Sequence, residues 1–216
     1  MRADGPERLA EVARAKGIRD QRLLQAIAAV PRAGFVPRRY GGRAYRDEPI
    51  PIGHDQVTTQ PSLVAAMLEA LALRGDERVL EVGTGHGFQT ALLARLARRV
   101  FSIERLADLA QAARRNLDHH QIRNAVVVLG DGTEGFPEEA PFDAIVVSAA
   151  FTSVPDPLVT QLRDGGRIVQ PIGRGGSDEV TLFERRGGVL ERRASVTGAH
   201  FVKLYGGHGF TPEDPP

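Results

Sequence analysis

Apolar residues recur at spacings of three and four near the start of the chain: Leu9, Val12 and Ala13, then Leu23, Leu24, Ala26, Ile27 and Val30. This pattern predicts helix from Pro6 to Val30, split at Gly17 because glycine disfavours a helix interior, and ended by Pro31. Residues 31–61 carry Pro31, Pro37, Pro49, Pro51 and Pro61 among several glycines and read as irregular. Helical spacing returns at Leu63, Val64, Met67, Leu68 and Leu71. Short apolar runs then alternate with helical stretches. Strands are predicted at 78–82, 100–103, 125–129, 144–147 and 167–172, with helices at 88–97, 106–117 and 157–162 and a turn at Asp164-Gly165-Gly166.

Strands alternating with helices of this length predict a doubly wound, mostly parallel α/β sheet with helices on both faces. The near-continuous run Ala144–Val147 suits a strand buried on both sides. After Gly173 the pattern changes to strands without long helices, at 180–184, 189–196 and 200–204, which predicts an antiparallel C-terminal region. The expected organisation is one domain over 1–216: an N-terminal helical and loop extension (1–61), a core (62–173), C-terminal strands (174–205) and a flexible tail (206–216).

Composition narrows the classes. Lys plus Arg is 28 against 27 for Asp plus Glu, which argues against a nucleic-acid-binding protein. Cysteine is absent, so disulfides, thiolate catalysis and zinc–cysteine sites are excluded. No apolar run approaches the roughly 20 residues of a membrane helix, and Met1–Leu9 does not read as a secretory signal; a cytoplasmic location is expected, with no membrane partner. His54, His86, His119 and His120 lack metal-site spacing, and no metal is expected.

The chemistry-bearing segment is Val79-Leu80-Glu81-Val82-Gly83-Thr84-Gly85-His86-Gly87-Phe88, a strand running into a glycine turn and a helix. Glycines let the backbone turn tightly and approach a ligand, at the strand ends where nucleotide-type ligands bind. Phe88 stands where a dinucleotide fingerprint wants its third glycine, which disfavours a dehydrogenase. Glu81 offers a carboxylate to a cationic cofactor such as S-adenosylmethionine. Glu104, about 20 residues on and ending the next strand, suits the two hydroxyls of a ribose. Gly130-Asp131-Gly132 ends the third strand, where Asp131 suits an adenine amino group and the glycines leave room for the ring.

Three such sites on successive strand ends resemble the class I S-adenosylmethionine-dependent methyltransferases. The segments Pro51–Pro61, Leu80–Thr90, Phe142–Ala150 and His200–Leu204 together resemble the protein-L-isoaspartate O-methyltransferase family over roughly residues 20 to 205. That resemblance implies a Rossmann-like methyltransferase fold, S-adenosylmethionine as cofactor and S-adenosyl-L-homocysteine as product. It implies isoaspartyl peptides and proteins as partners, esterified as a repair step, and a monomer. It implies Thr59, matching the family's hydroxyl residue, at the reacting carboxylate. Gly83, Thr84, Gly85, Gly87, Gln89, Thr90, Arg105 and Gly132 would join Glu81, Glu104 and Asp131 around the cofactor. His54, Gln56, Thr58, Ser148, Ala149, Ala150 and Val202 would face the substrate, with the small Ser148–Ala150 segment admitting a peptide backbone.

The chain departs from the family's usual loop at Asp55, where glycine is usual, and at Val57-Thr58-Thr59. Asp55 pointing inward would oppose an anionic substrate. A carboxyl methyltransferase with another acceptor, or a binding module that keeps the cofactor fold, is therefore the alternative.

Overall fold

The structure is a computed structural model that describes residues 5–211. The N-terminal pattern forms two helices, α1 (Pro6–Ala15) and α2 (Gln21–Ala29). Gly17, at φ 106°, breaks them apart, and Asp20 caps α2 by accepting from the N–H groups of Arg22 and Leu23. The irregular reading of 31–61 is corrected. Two short 3₁₀ turns (Arg32–Phe35 and Arg38–Arg43) precede a small antiparallel hairpin of β1 (Ile50–Gly53) and β2 (Gln56–Thr58). The prolines hid it: Ile50 and Ile52 are buried while Pro51 and Gly53 are exposed, but the alternation lasts only four residues.

After α3 (Pro61–Leu71) come β3 (Arg78–Val82), α4 (Phe88–Leu96), β4 (Arg99–Glu104), α5 (Ala107–His119), β5 (Ala125–Leu129), β6 (Phe142–Val147), α6 (Asp156–Gln161), β7 (Leu162–Ile172), β8 (Asp178–Arg186) and β9 (Val189–Ala199). Seven strands form one sheet in the order β5-β4-β3-β6-β7-β8-β9. The first five in that order run parallel, and β8 and β9 add antiparallel. The chain goes outward from β3 through β4 and β5, then returns to β6 on the other side. The carboxyl ends of β3 and β6 therefore flank the switch point where ligands of such sheets bind.

The two faces are covered unequally. Val79, Val100, Ala144 and Val146 pack under the apolar sides of α1 to α5, whereas Leu80, Phe101, Ile145 and Val147 pack against α6 and the short turns after β5. Adjacent residues of one strand thus belong to different cores, as the two-residue period requires. The turn expected at Asp164–Gly166 is a bulge inside β7: Phe142 pairs with Leu162 and Ala144 with Arg167, and Gly165 takes up the excess at φ 75°.

Two C-terminal expectations are also corrected. Residues 200–204 make only an isolated bridge, Ala150 to Lys203, not a strand of the sheet. The glycine-rich stretch 206–209 is docked. The Gly207 N–H donates to Asp131 and the His208 N–H to Thr133, and Phe210 is buried edge-on against Phe151. The expected fraying of the last residues falls at 212–216, outside the described residues.

Truncating Ile145, which is fully buried on the second face, to alanine should cost about 2–5 kcal/mol in denaturant unfolding. A loss below about 1 kcal/mol would contradict the packing of that face.

Candidate active site

The turn after β3 is built on three glycines with positive φ: Gly83 (93°), Gly85 (54°) and Gly87 (90°), the last serving as N-cap of α4. Backbone pairing fixes its base. The Gly83 N–H donates to the Ile103 carbonyl, and the Ser148 N–H to the Val82 carbonyl, so β4 and β6 hold the turn from either side. Gly132 is held tightly as well: a Cβ there would run into Cγ1 of Val82.

Glu104 borders the cleft above this turn. Its Oε2 accepts from the Gly85 N–H at 2.9 Å and its Oε1 from the Leu106 N–H at 3.0 Å. Both oxygens retain acceptor capacity. Gln89 also borders the cleft, donating through Nε2 to Glu81 (3.1 Å) and to Ser148 Oγ (2.9 Å). Its Oε1 is buried without a hydrogen-bond partner.

Glu81 departs from its expected place. It does not border the cleft; it is fully buried under the first turn of α4, accepting from Thr90 Oγ1 (2.5 Å), Ser102 Oγ (2.6 Å) and Gln89. It sits one residue out of phase with Val82, so it faces the helix layer. Burial is the main cause that pushes its carboxyl up to about 7, helped by the charge of Glu104 and opposed by the three hydrogen bonds. Thr90 is sealed in the same way and serves Glu81 rather than the cleft. Thr84 lines the cleft and pairs with Ser102 at 2.6 Å.

Asp131 likewise serves its own chain. Its Oδ1 accepts from the N–H and hydroxyl of Thr133, and its Oδ2 from the Gly207 N–H at 2.6 Å. Its neighbour Gly132, with Ala149 and Arg105, borders a smaller cavity continuous with the cleft at Gly83 and Glu104. Arg105 is exposed, with its guanidinium 5.2 Å from the centre of the Tyr205 ring.

The hairpin covers the cleft: Ile52 Cδ1 lies 3.1 Å from where a Cβ on Gly85 would be. Its tip is His54-Asp55, both with positive φ (52° and 55°). Asp tolerates this conformation, which glycine adopts freely. Asp55 is exposed there, and His54 lies 3.3 Å from Asp108 of α5, at the rim rather than in the cleft. Gln56 and Val202 border the cleft. Ala150 does not. It is fully buried, and its N–H and carbonyl pair with Val202 and Leu204, so the backbone admitted beside Ser148–Ala150 is the chain's own closing segment.

Val57, Thr59, Ser148 and Val202 border both this cleft and a second groove of about 550 Å³ running toward Leu63, Ala66 and the end of β9. Thr58, next to Thr59, lines the cleft but gives its hydroxyl oxygen to the buried guanidinium of Arg32 at 2.7 Å. Sequence reasoning missed Arg32 and Asp47, which grip this loop. The available signal was a single arginine inside the otherwise apolar run Val30–Pro37.

A glycine turn at the switch point of a parallel sheet, a carboxylate on the adjacent strand end and a hydrophobic hairpin over both define the class I S-adenosylmethionine-dependent methyltransferases. The sequence profile of the protein-L-isoaspartate(D-aspartate) O-methyltransferase family matches residues 5–209, and the chain belongs to that family. A protein-L-isoaspartate O-methyltransferase of Methanoculleus marisnigri is 48% identical over 204 residues, covering 94% of this chain and 92% of its own length. One of Myxococcus xanthus is 47% identical over 193 residues, covering 88% and 91%. A solved protein-L-isoaspartate O-methyltransferase superposes with a TM-score of 0.83 at 29% identity, over 94% of this chain and 67% of that one. A Plasmodium falciparum chain crystallised with S-adenosyl-L-homocysteine has the same fold, with a TM-score of 0.79 at 22% identity over 94% and 99% of the two chains.

The residues present fit that cofactor. Glu104 keeps acceptor capacity for ribose hydroxyls, and the glycines leave space for close backbone approach.

Two predictions arise here. The folded protein holds the Glu81 proton to about 7, whereas an exposed glutamate loses it near 4.5. Between those values the folded state binds more protons than the unfolded one, so this group lowers stability as pH rises through the window. Glu81→Gln should flatten that part of the melting-temperature profile, and an unchanged slope would remove Glu81 as its source. Glu104→Ala should weaken cofactor binding by about 1.5–3 kcal/mol in calorimetric titration, the range for hydrogen bonds to a charged group. Unchanged affinity would take Glu104 out of the site.

Proposed function

We propose that the chain methylates isoaspartyl residues of damaged proteins and peptides, with Thr59 and Ser148 receiving the acceptor carboxylate. The observation that carries this reading is the shared border: Thr59 and Ser148 lie where the cofactor cleft opens into the groove beside β9.

S-adenosylmethionine, when bound, supplies a methyl carbon activated by its sulfonium and leaves as S-adenosyl-L-homocysteine. Glu104 would accept from the ribose hydroxyls. The acceptor carboxylate, with a reference pKa of about 4, is ionised at neutral pH, so the reaction needs no strong general base. The protein must instead align an oxygen and exclude water. Ser148 Oγ already accepts from Gln89, which leaves its own proton to donate to a carboxylate oxygen. Thr59 would donate from the other side of the junction. Ile52, Val57 and Val202 supply apolar cover over the cleft.

Asp55 does not argue for a changed acceptor, because it occupies an exposed, left-handed turn position. No helix among the described residues is long and apolar enough to cross a membrane. The reading includes proteins rather than nucleic acid as partners, which the balanced charge supports.

Labelled methyl should pass selectively to an isoaspartyl peptide over its aspartyl counterpart. Equal labelling of both, or none while cofactor still binds, would point to another acceptor. Thr59→Val should lower turnover about 10- to 100-fold, the scale of one lost hydrogen bond in the transition state, with cofactor affinity kept.

A further inference from the structure

We propose that Arg32 is the positioning residue of this reaction: by holding the Thr58 hydroxyl and the Thr59 carbonyl, its buried guanidinium sets the Thr59 hydroxyl against the cofactor cleft. The inference rests on the function proposed above and goes beyond it, to the residue that makes the loop competent.

Arg32 lies outside the cleft and is completely buried. Its Nη1 donates to the carbonyls of Ala44 (3.2 Å) and Arg46 (3.1 Å). Its Nη2 donates to the Glu48 carbonyl (3.0 Å), Thr58 Oγ1 (2.7 Å) and the Thr59 carbonyl (3.4 Å). One side chain thus gathers both ends of the segment that carries the hairpin. The guanidinium carbon also lies 5.7 Å from the ring centre of Phe88, which borders the cleft at the start of α4. The same group therefore touches the acceptor loop and the cofactor wall.

On the other side of Thr59, Asp47 accepts from Gln60 Nε2, the Ser62 N–H, Ser62 Oγ and Lys16 Nζ, each at 2.8 Å. Thr59 is held between two grips, one on Thr58 and one on Gln60 and Ser62. Burial opposes the charge of Asp47, but these four contacts outweigh it and hold its carboxyl below the ordinary range. Burial lowers Arg32 to about 10, against the charges of Asp47 and Glu48, so it stays cationic at neutral pH.

The residue type supports positioning over packing. A loop that needed only a core would place an apolar side chain here, because a buried cation is costly and a well-packed apolar substitute often matches it. Only arginine offers a rigid planar fork, whose two Nη groups here hold four carbonyls and a hydroxyl in one arrangement while Nε is buried without a partner; lysine has three donors around a point. An error of one ångström at a reacting atom costs rate far more than it costs stability.

The test compares Arg32→Met and Arg32→Lys with the unaltered chain, reading cofactor affinity, kcat and KM on an isoaspartyl peptide, and thermal melting. Cofactor affinity should stay within about twofold while kcat falls about 10- to 100-fold in Arg32→Met and less in Arg32→Lys. Combined with Thr59→Val, either change should be non-additive, since Arg32 acts on the rate through the placement of the Thr59 hydroxyl that Thr59→Val removes. Additive losses, an unchanged kcat, or a matching loss of cofactor affinity would overturn the proposal. If the Arg32 variants do not fold, Thr58 gives the same reading: Thr58→Val should lower kcat and Thr58→Ser restore it, and equal activity in both would overturn it. If the unaltered chain transfers no methyl to the isoaspartyl peptide, the proposed function fails by itself. Amide hydrogen exchange over residues 44–60 then decides on Arg32: faster exchange in Arg32→Met upholds the grip, and unchanged exchange removes it.

Discussion

A carboxyl group sealed from water must be hydrogen-bonded on every side or give up its charge, and Glu81 shows how this requirement organises the molecule. Its three partners come from two elements: Thr90 and Gln89 from α4, and Ser102 from β4. Strand β3 cannot sit in the sheet with Glu81 satisfied unless α4 begins at its present point and β4 lies in its present register. Both conditions set the glycine turn between them. The network continues through Gln89 to Ser148 on the far side of the switch point, and through Ser102 to Thr84 in the turn itself. The floor of the cleft is therefore a polar lattice fixed before any ligand arrives, and affinity need not fall through ordering on binding.

The loop above obeys a different rule. It has little regular structure to hold it, so its geometry depends on two charged side chains that reach in from the N-terminal region and from the loop itself. The structure thus separates a cofactor half held by strand and helix from an acceptor half held by side chains. The two halves meet at Phe88 and at the Gln89–Ser148 hydrogen bond.

The sheet was legible because its signals are local. Short apolar runs identify β3, closed by Gly83, and β6, opened by Pro141, and Gly83, Gly85 and Gly87 need no tertiary information to mark a turn. Glu104 was legible for the same reason. The misreadings share a cause: each depended on what a side chain meets after folding. Glu81 reads as a cofactor partner until the helix closes over it. Asp131 carries an internal role that its sequence context does not show, because the Gly207 N–H arrives from 76 residues away. Ala150 reads as a substrate contact until the closing segment takes its backbone groups. Arg32 carries no motif, since its five acceptors are spread from residue 44 to residue 59. The hairpin was lost because strands of four and three residues are too short for alternation to declare itself.

The sheet ends on one side at β9, whose outer edge pairs with no other strand among the described residues. Glu191, Arg192 and Arg193 lie along it, with Arg192 tied to Glu179 and Arg193 to Glu184 on β8. Charges on an edge strand make the addition of a foreign strand unfavourable. A repair enzyme meets aged, partly unfolded chains as its ordinary company, and an open edge would recruit them into aggregates. The ionic fringe at 191–193 opposes such pairing along that stretch of the edge.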